Sequence, residues 1–98
     1  MKINENQYCI VRTNRAGVFF GKIKEKSADE VTMTDVRKLW HWDGACAVEQ
    51  IALEGVKKPH NCKFTMVVPE MTVAEPIQII PCTEKATKSL SGVAVWQR

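Results

Sequence analysis

The sequence predicts a small α+β domain: an antiparallel sheet of the SH3-like or Sm-like meander type, carrying two short helices. Three observations lead there. The opening third alternates β-branched and aromatic runs with tight-turn signals. Two later stretches carry apolar residues at helical spacing between capping signals. The length, 98 residues, allows a single domain over 1–98 and no second core. A chain of this size buries roughly 60–70% of the surface its unfolded form exposes, enough to fold alone with little margin.

The elements follow in order. Residues 7–13, QYCIVRT, predict a strand with Tyr8, Ile10 and Arg12 on one face. Asn14 to Gly17 is a turn, because Asn tolerates left-handed backbone and Gly adopts it freely. VFFGKIKE, 18–25, predicts a second strand, and Gly21 in its middle marks a bulge or a close backbone approach. Ser27 to Asp29 turns the chain into a third strand, 30–34, with Val31 and Met33 inward. Leu39–Trp42 reads as extended, with Trp40 and Trp42 on one face. A helix is predicted over about 44–54, with Asp43 as N-cap, Ala45, Val48, Ile51 and Ala52 on the buried stripe, and Gly55 as C-cap. A polar loop stiffened by Pro59 leads to a strand over 62–68 that Pro69 ends or marks as an edge. Met71–Val73 continues it, and PIQII, 76–80, forms another strand. Thr83 caps a second helix with Glu84 in its first turn, Ala86 and Leu90 inward and Gly92 as its stop. Val93–Trp96 reads as a terminal strand.

Composition narrows the function. No apolar run approaches the ~20 residues needed to span a bilayer, so no membrane partner is expected. The start, MKINENQYC, lacks the apolar stretch of a secretory signal and points to the cytoplasm. Fourteen basic against eleven acidic residues give a mild +3. Four cysteines stand at 9, 46, 62 and 82 with no CxxC pair, and Cys9 and Cys46 read as small buried residues. A zinc set of His41, Cys46, His60 and Cys62 would have H-x4-C and H-x-C spacing, which fits no common structural zinc pattern; no metal or other cofactor is expected. There is no G-x-S-x-G elbow, P-loop or H-E-x-x-H helix, and no carboxylate pair is placed for acid–base work. The chain is read as non-catalytic.

Binding has better material. Arg37-Lys38-Leu39-Trp40-His41-Trp42 joins cations to aromatic rings, residue types that stack a base and neutralise a phosphate. Arg12-Thr13-Asn14-Arg15 gathers guanidinium, hydroxyl and amide groups in one turn, and Lys63 lies near Lys57 and Lys58 in the chain. A Trp in so short a chain is most often core, and a subunit interface is the third place for such rings, since Trp and Arg are enriched there.

The runs AGVFFGKIKEKSADEVTMTDVRKLWHWDGA, EQIALEGVKKPHNCKF and IIPCTEKATKSLSGVAVW resemble a widespread family of small proteins encoded mainly by bacteriophages and prophages. The distinctive parts are Ala16-Gly17-Val18, Arg37 with Leu39-Trp40, Trp42 with Gly44-Ala45, and Gly55-Val56-Lys57 with Pro59 and Cys62-Lys63-Phe64. A phage origin implies a role against host immunity. One group of such proteins acts as molecular sponges, symmetric oligomers that hold cyclic nucleotide messengers away from host effectors. The expectation is therefore a homo-oligomer in the host cytoplasm that sequesters a cyclic dinucleotide without cleaving it. Arg12, Arg15, Arg37 and Lys63 would pair with phosphates, Trp40 and Trp42 would stack on bases, and Thr13 and Asn14 would read a base edge or ribose. The alternatives are an inhibitor that binds a host defence nuclease or CRISPR complex, and a small nucleic-acid-binding module. The +3 charge argues against nucleic-acid mimicry, and direct nucleic-acid binding calls for a broader basic face.

Overall fold

A computed structural model describes residues 6–45 and 47–96. Strands β1 (Tyr8–Thr13), β2 (Val18–Lys26) and β3 (Glu30–His41) form the expected antiparallel meander. Helix α1 (Val48–Glu54), a 3-10 turn at Pro59–Asn61 and the two-residue strand β4 (Lys63–Phe64) follow. Strands β5 (Val68–Ala74) and β6 (Pro76–Pro81) and helix α2 (Glu84–Ser91) complete the order. All six strands belong to one antiparallel sheet.

The sheet curls because of one link. β5 pairs with the outer edge of β3 and β6 with the outer edge of β1, yet Glu75 alone separates β5 from β6. Strands lie about 4.8 Å apart, so a flat sheet could not bring those two edges within reach of a single residue. The path β5-β3-β2-β1-β6 has the connectivity of an SH3-like barrel. Glu75 turns the corner at φ 56°, and its N–H donates to Asp29 O at 2.8 Å.

A bulge in β3 decides which way its side chains face. Lys22 pairs with Thr34 and Phe20 with Arg37, so Asp35 and Val36 together oppose Gly21. Asp35 adopts φ 49° and is held by Lys22 Nζ at 2.9 Å. Gly21 is required by space: a Cβ there would lie 2.9 Å from Val36 Cα. One extra residue moves all later side chains to the other face. Val31, Met33 and Val36 consequently enter one core, inside the curl, with Cys9, Val11, Phe19, Ile23 and Val73. Leu39 enters the other, on the helix side, with Ile10, Phe20, Ile51, Phe64, Ala86 and Leu90. β1 and β2 are covered on both faces, which accounts for their unbroken apolar runs CIV and VFF.

Several boundaries differ from expectation. The strand 30–34 and residues 39–41 of the extended segment are joined in one 12-residue strand, and Trp42 lies beyond its end. α1 is shorter than 44–54 and starts from Ala47, which makes no side-chain cap; Asp43 lies in the preceding loop. Gly55 does end it, at φ 77° with its N–H on Ile51 O. The strand over 62–68 shrinks to Lys63–Phe64, and Pro69 lies inside β5, where an edge strand tolerates the missing N–H. Thr83 caps α2 as expected, accepting from Ala86 N–H at 3.1 Å, and Ala86 and Leu90 are buried. Val93–Trp96 makes one parallel bridge, Phe64 to Val95, in place of a strand. No helix among the described residues is long and apolar enough to cross a membrane.

Gly21→Ala is expected to cost roughly 1–3 kcal/mol, because the new methyl must displace β3 backbone. Urea unfolding of the two proteins measures it, as a lower midpoint with an unchanged slope.

Candidate functional site

The sequence-predicted residues divide into three groups. The first is buried. The Thr13 hydroxyl is used inside its own turn, accepting from Gly17 N–H and lying 2.8 Å from Gly17 O. Arg37, expected on the surface as a phosphate partner, is only 3% exposed. Its Nε donates to Thr65 O at 2.9 Å and its Nη1 to Leu90 O at 3.1 Å, while the guanidinium lies 5.2 Å from the Phe64 ring centre. Burial lowers its pKa from the ordinary value. Nη2 is buried without a hydrogen-bond partner among the described residues. The cause is the bulge: it turns Arg37 to the helix side, where it clasps β3, the segment after β4 and the C-terminal end of α2. A cation at that end also matches the helix dipole.

The second group sits at the barrel corner. Arg12 is exposed on β1. Asn14 Nδ2 donates to Glu75 Oε2 at 2.9 Å, and Arg15 Nε lies 3.9 Å from the same oxygen. Asn14 and Arg15 thus already share a carboxylate partner, Glu75.

The third group makes a surface. Trp40 is 64% exposed and Trp96 37%, with ring centres 5.7 Å apart and planes tilted by 46°. Lys38 Nζ lies 5.9 Å from the Trp40 ring centre and Lys63 Nζ 5.2 Å from that of Trp96. Trp40 stands as a ridge between two recesses open to solvent. One, of about 310 Å³, is lined by Gly17, Val18, Lys38, Leu39, Trp40 and Trp42. The other, of about 450 Å³, is lined by Trp40, His41, Asp43, Asn61 and Lys63. Trp42 is half-buried and packs against the helix-side core. Of the predicted residues, then, Trp40, Trp42 and Lys63 are brought together, and Gly17 is the one point where the 14–17 turn reaches them.

The residues assigned to the ligand from sequence leave out Trp96, Asp43 and Asn61, and also Lys38 and His41, which stand in the basic-aromatic segment without an assigned role. Trp96 arrives through the pairing of the C-terminal segment with β4, where its N–H donates to Phe64 O at 2.9 Å. The tryptophan itself, in a short terminal segment, was the available signal. Asp43, expected as the helix N-cap, does not cap α1. Its carboxylate instead accepts from Asn61 Nδ2 at 3.1 Å. That bond first, then the charge of Lys58, the Gly44 N–H and the charge of His41, hold its carboxyl below the ordinary value.

Burial pushes the Cys9 thiol to about 11 and the Cys82 thiol to about 12, so neither forms a thiolate near neutral pH. Cys62 Sγ accepts from Asp43 N–H at 3.4 Å. No cluster of three or more His, Cys, Asp or Glu groups suited to a metal occurs among the described residues, and Cys46, the fourth member of the zinc set, lies outside them.

Arg37→Ala is expected to lower stability by about 2–4 kcal/mol, leaving the buried Leu90 carbonyl and the part-buried Thr65 carbonyl without their charged donor. Trp40→Ala, at an exposed position, is expected to stay within about 0.5 kcal/mol of the parent. Chemical denaturation of both variants separates clasp from surface. For Asp43 the lowered pKa means a stabilising contribution that is present at neutral pH and lost as pH falls through the folded-state midpoint. Asn61→Ala is expected to raise that midpoint toward the ordinary carboxyl value, read by NMR titration of the Asp43 carboxyl carbon.

No curated protein and no solved structure matches the chain. A family match does, and it runs over residues 6–90, from just before β1 to the Leu90 carbonyl that Arg37 holds. It includes Trp40, Trp42 and Lys63 and stops short of Trp96. On that span the chain belongs to the family described as Domain of unknown function (DUF6948).

Proposed function

We propose that the protein binds a nucleotide without transforming it, and that it acts as a phage-type sponge holding a cyclic dinucleotide immune signal in the host cytoplasm. The observation that carries the reading is the exposed Trp40, tilted against Trp96 and flanked by Lys38 and Lys63. A large aromatic ring left in water has a cost, and its faces are the natural platform for a base. The two ammonium groups, 5.9 Å and 5.2 Å from the ring centres, offer partners for the phosphates of a stacked nucleotide. Stacking is worth about 1–3 kcal/mol per base, and the charges add a salt-dependent part.

The recesses beside Trp40 fall within the size range of small-ligand sites, about 300–1,000 Å³. Both are open, so one copy covers only part of a cyclic dinucleotide. Sequestration acts by mass action and needs an affinity above that of the competing effector. A second copy laid over this face encloses the ligand and supplies that affinity, which is why the reading includes a homo-oligomer. The same openness favours a second reading, single-stranded nucleic acid, because a ridge with a recess on either side accepts successive bases of a strand.

Tryptophan fluorescence titrated with a panel of cyclic dinucleotides and with single-stranded RNA and DNA tests both. Quenching by a cyclic dinucleotide is expected. Trp40→Ala is expected to weaken binding roughly tenfold or more, and the pair Lys38→Ala with Lys63→Ala to flatten its salt dependence. Quenching by strands alone favours the second reading. A flat titration across the whole panel would rule out both.

A further inference from the structure

We infer that the recess holding Trp40 and Asp43 selects a guanine base, with the Asp43 carboxylate accepting two hydrogen bonds from the base edge. The inference rests on the nucleotide reading and adds the identity of the base.

The recess of about 450 Å³ brings together an aromatic wall, Trp40, and polar groups from two separate segments: His41 at the end of β3 with Asp43 beyond it, and Asn61 and Lys63 around β4. Asp43 is held in place from several sides. Its carboxylate accepts from Asn61 Nδ2, and its own N–H donates to Cys62 Sγ. The next residue, Gly44, has φ 89° and lies so close to the following loop that a Cβ would be 2.7 Å from Lys57 N. The Gly44 carbonyl accepts from that same Lys57 N–H at 3.4 Å. The carboxylate is thus an acceptor at a set position.

An ionised carboxylate offers acceptors and no donor. Guanine presents N1–H and the 2-amino group side by side, two parallel donors that match the two carboxylate oxygens. Adenine sets its N1 acceptor beside its amino group, and cytosine its N3. Uracil has one N–H between two carbonyls. Each of these would place a lone pair against the negative oxygens. A site built around a hydrogen bond rejects ligands that cannot complete it far more strongly than an apolar pocket rejects a change of size. Lys63, over the Trp96 ring, remains beside the recess to meet phosphate.

Fluorescence titration of the parent protein with cyclic di-GMP, cyclic di-AMP and the inosine analogue, which lacks the 2-amino group, reads the inference directly. Guanine is expected to bind roughly tenfold to hundredfold more tightly than adenine, the range of one good bidentate contact. The inosine form is expected in between. Asp43→Asn, nearly the same shape, is expected to erase the preference and leave weak binding through Trp40 and the lysines. Equal affinity for the guanine and adenine ligands would overturn the inference while leaving nucleotide binding intact, as would an undiminished preference in Asp43→Asn. Should that variant fail to fold, the comparison of guanine with inosine in the parent protein decides alone. No binding of any of the ligands would remove the nucleotide reading itself, a result distinct from binding without preference.

Discussion

The bulge at Asp35–Val36, seated against Gly21, is the constraint on which the remainder of the molecule depends. A regular β3 would keep Val31, Met33, Asp35, Arg37 and Leu39 on one face throughout. With one residue inserted, the first half of the strand serves the core inside the curl and the second half serves the core under the helices. The same shift leaves Lys38 half-exposed and Trp40 exposed. With a second register shift, between Leu39 and His41 against β4, the bulge therefore sets core and candidate site. It needs a residue without a side chain on β2 and one on β3 that tolerates φ near 50°, a role to which Asp is better suited than most.

Arg37 then ties the second half of β3 to its neighbours. Its two carbonyl partners belong to the segment after β4 and to the end of α2, elements 28 and 53 residues away in sequence. A buried cation is costly unless its donors are met, so this contact fixes positions as well as adding energy. The helices are joined to each other by further specific bonds: Thr83 N–H to Ala52 O at 3.0 Å, and Val56 N–H to Ser89 Oγ at 3.1 Å. The C-terminal segment leaves α2 from this fixed point and runs beside β4, which is how Trp96 comes to stand next to Trp40.

The resulting surface is small, aromatic and locally basic, with one oriented carboxylate among its lysines. Charge on the whole chain says little about it, since +3 is spread over many residues. What distinguishes the place is that two ammonium groups lie against two rings, each attraction worth about 0.5–1 kcal/mol at an exposed site. Such contacts keep the lysines poised over the rings without burying them, a state that a phosphate-bearing ligand can exploit with little reorganisation.

Short-range chemistry was legible in the residues alone. The meander, the turn at Asn14–Gly17, the close approach at Gly21, the Thr83 cap and the Gly55 stop each depend on a few neighbouring side chains, and the order of letters contains those. Trp40 beside lysine could be found the same way. The sequence did not contain the face that each residue of β3 would take, because the bulge arises from pairing with β2; this is why Arg37 was placed with the site and lies in the core. Nor did it contain the meeting of Asn14 and Arg15 with Glu75, of Asp43 with Asn61, or of Trp40 with Trp96, contacts that span between 18 and 61 residues. Local propensity determined which elements form. Only the curling of the sheet and the docking of the last segment decided which of their side chains share a surface, since that depends on distances the chain acquires when it packs.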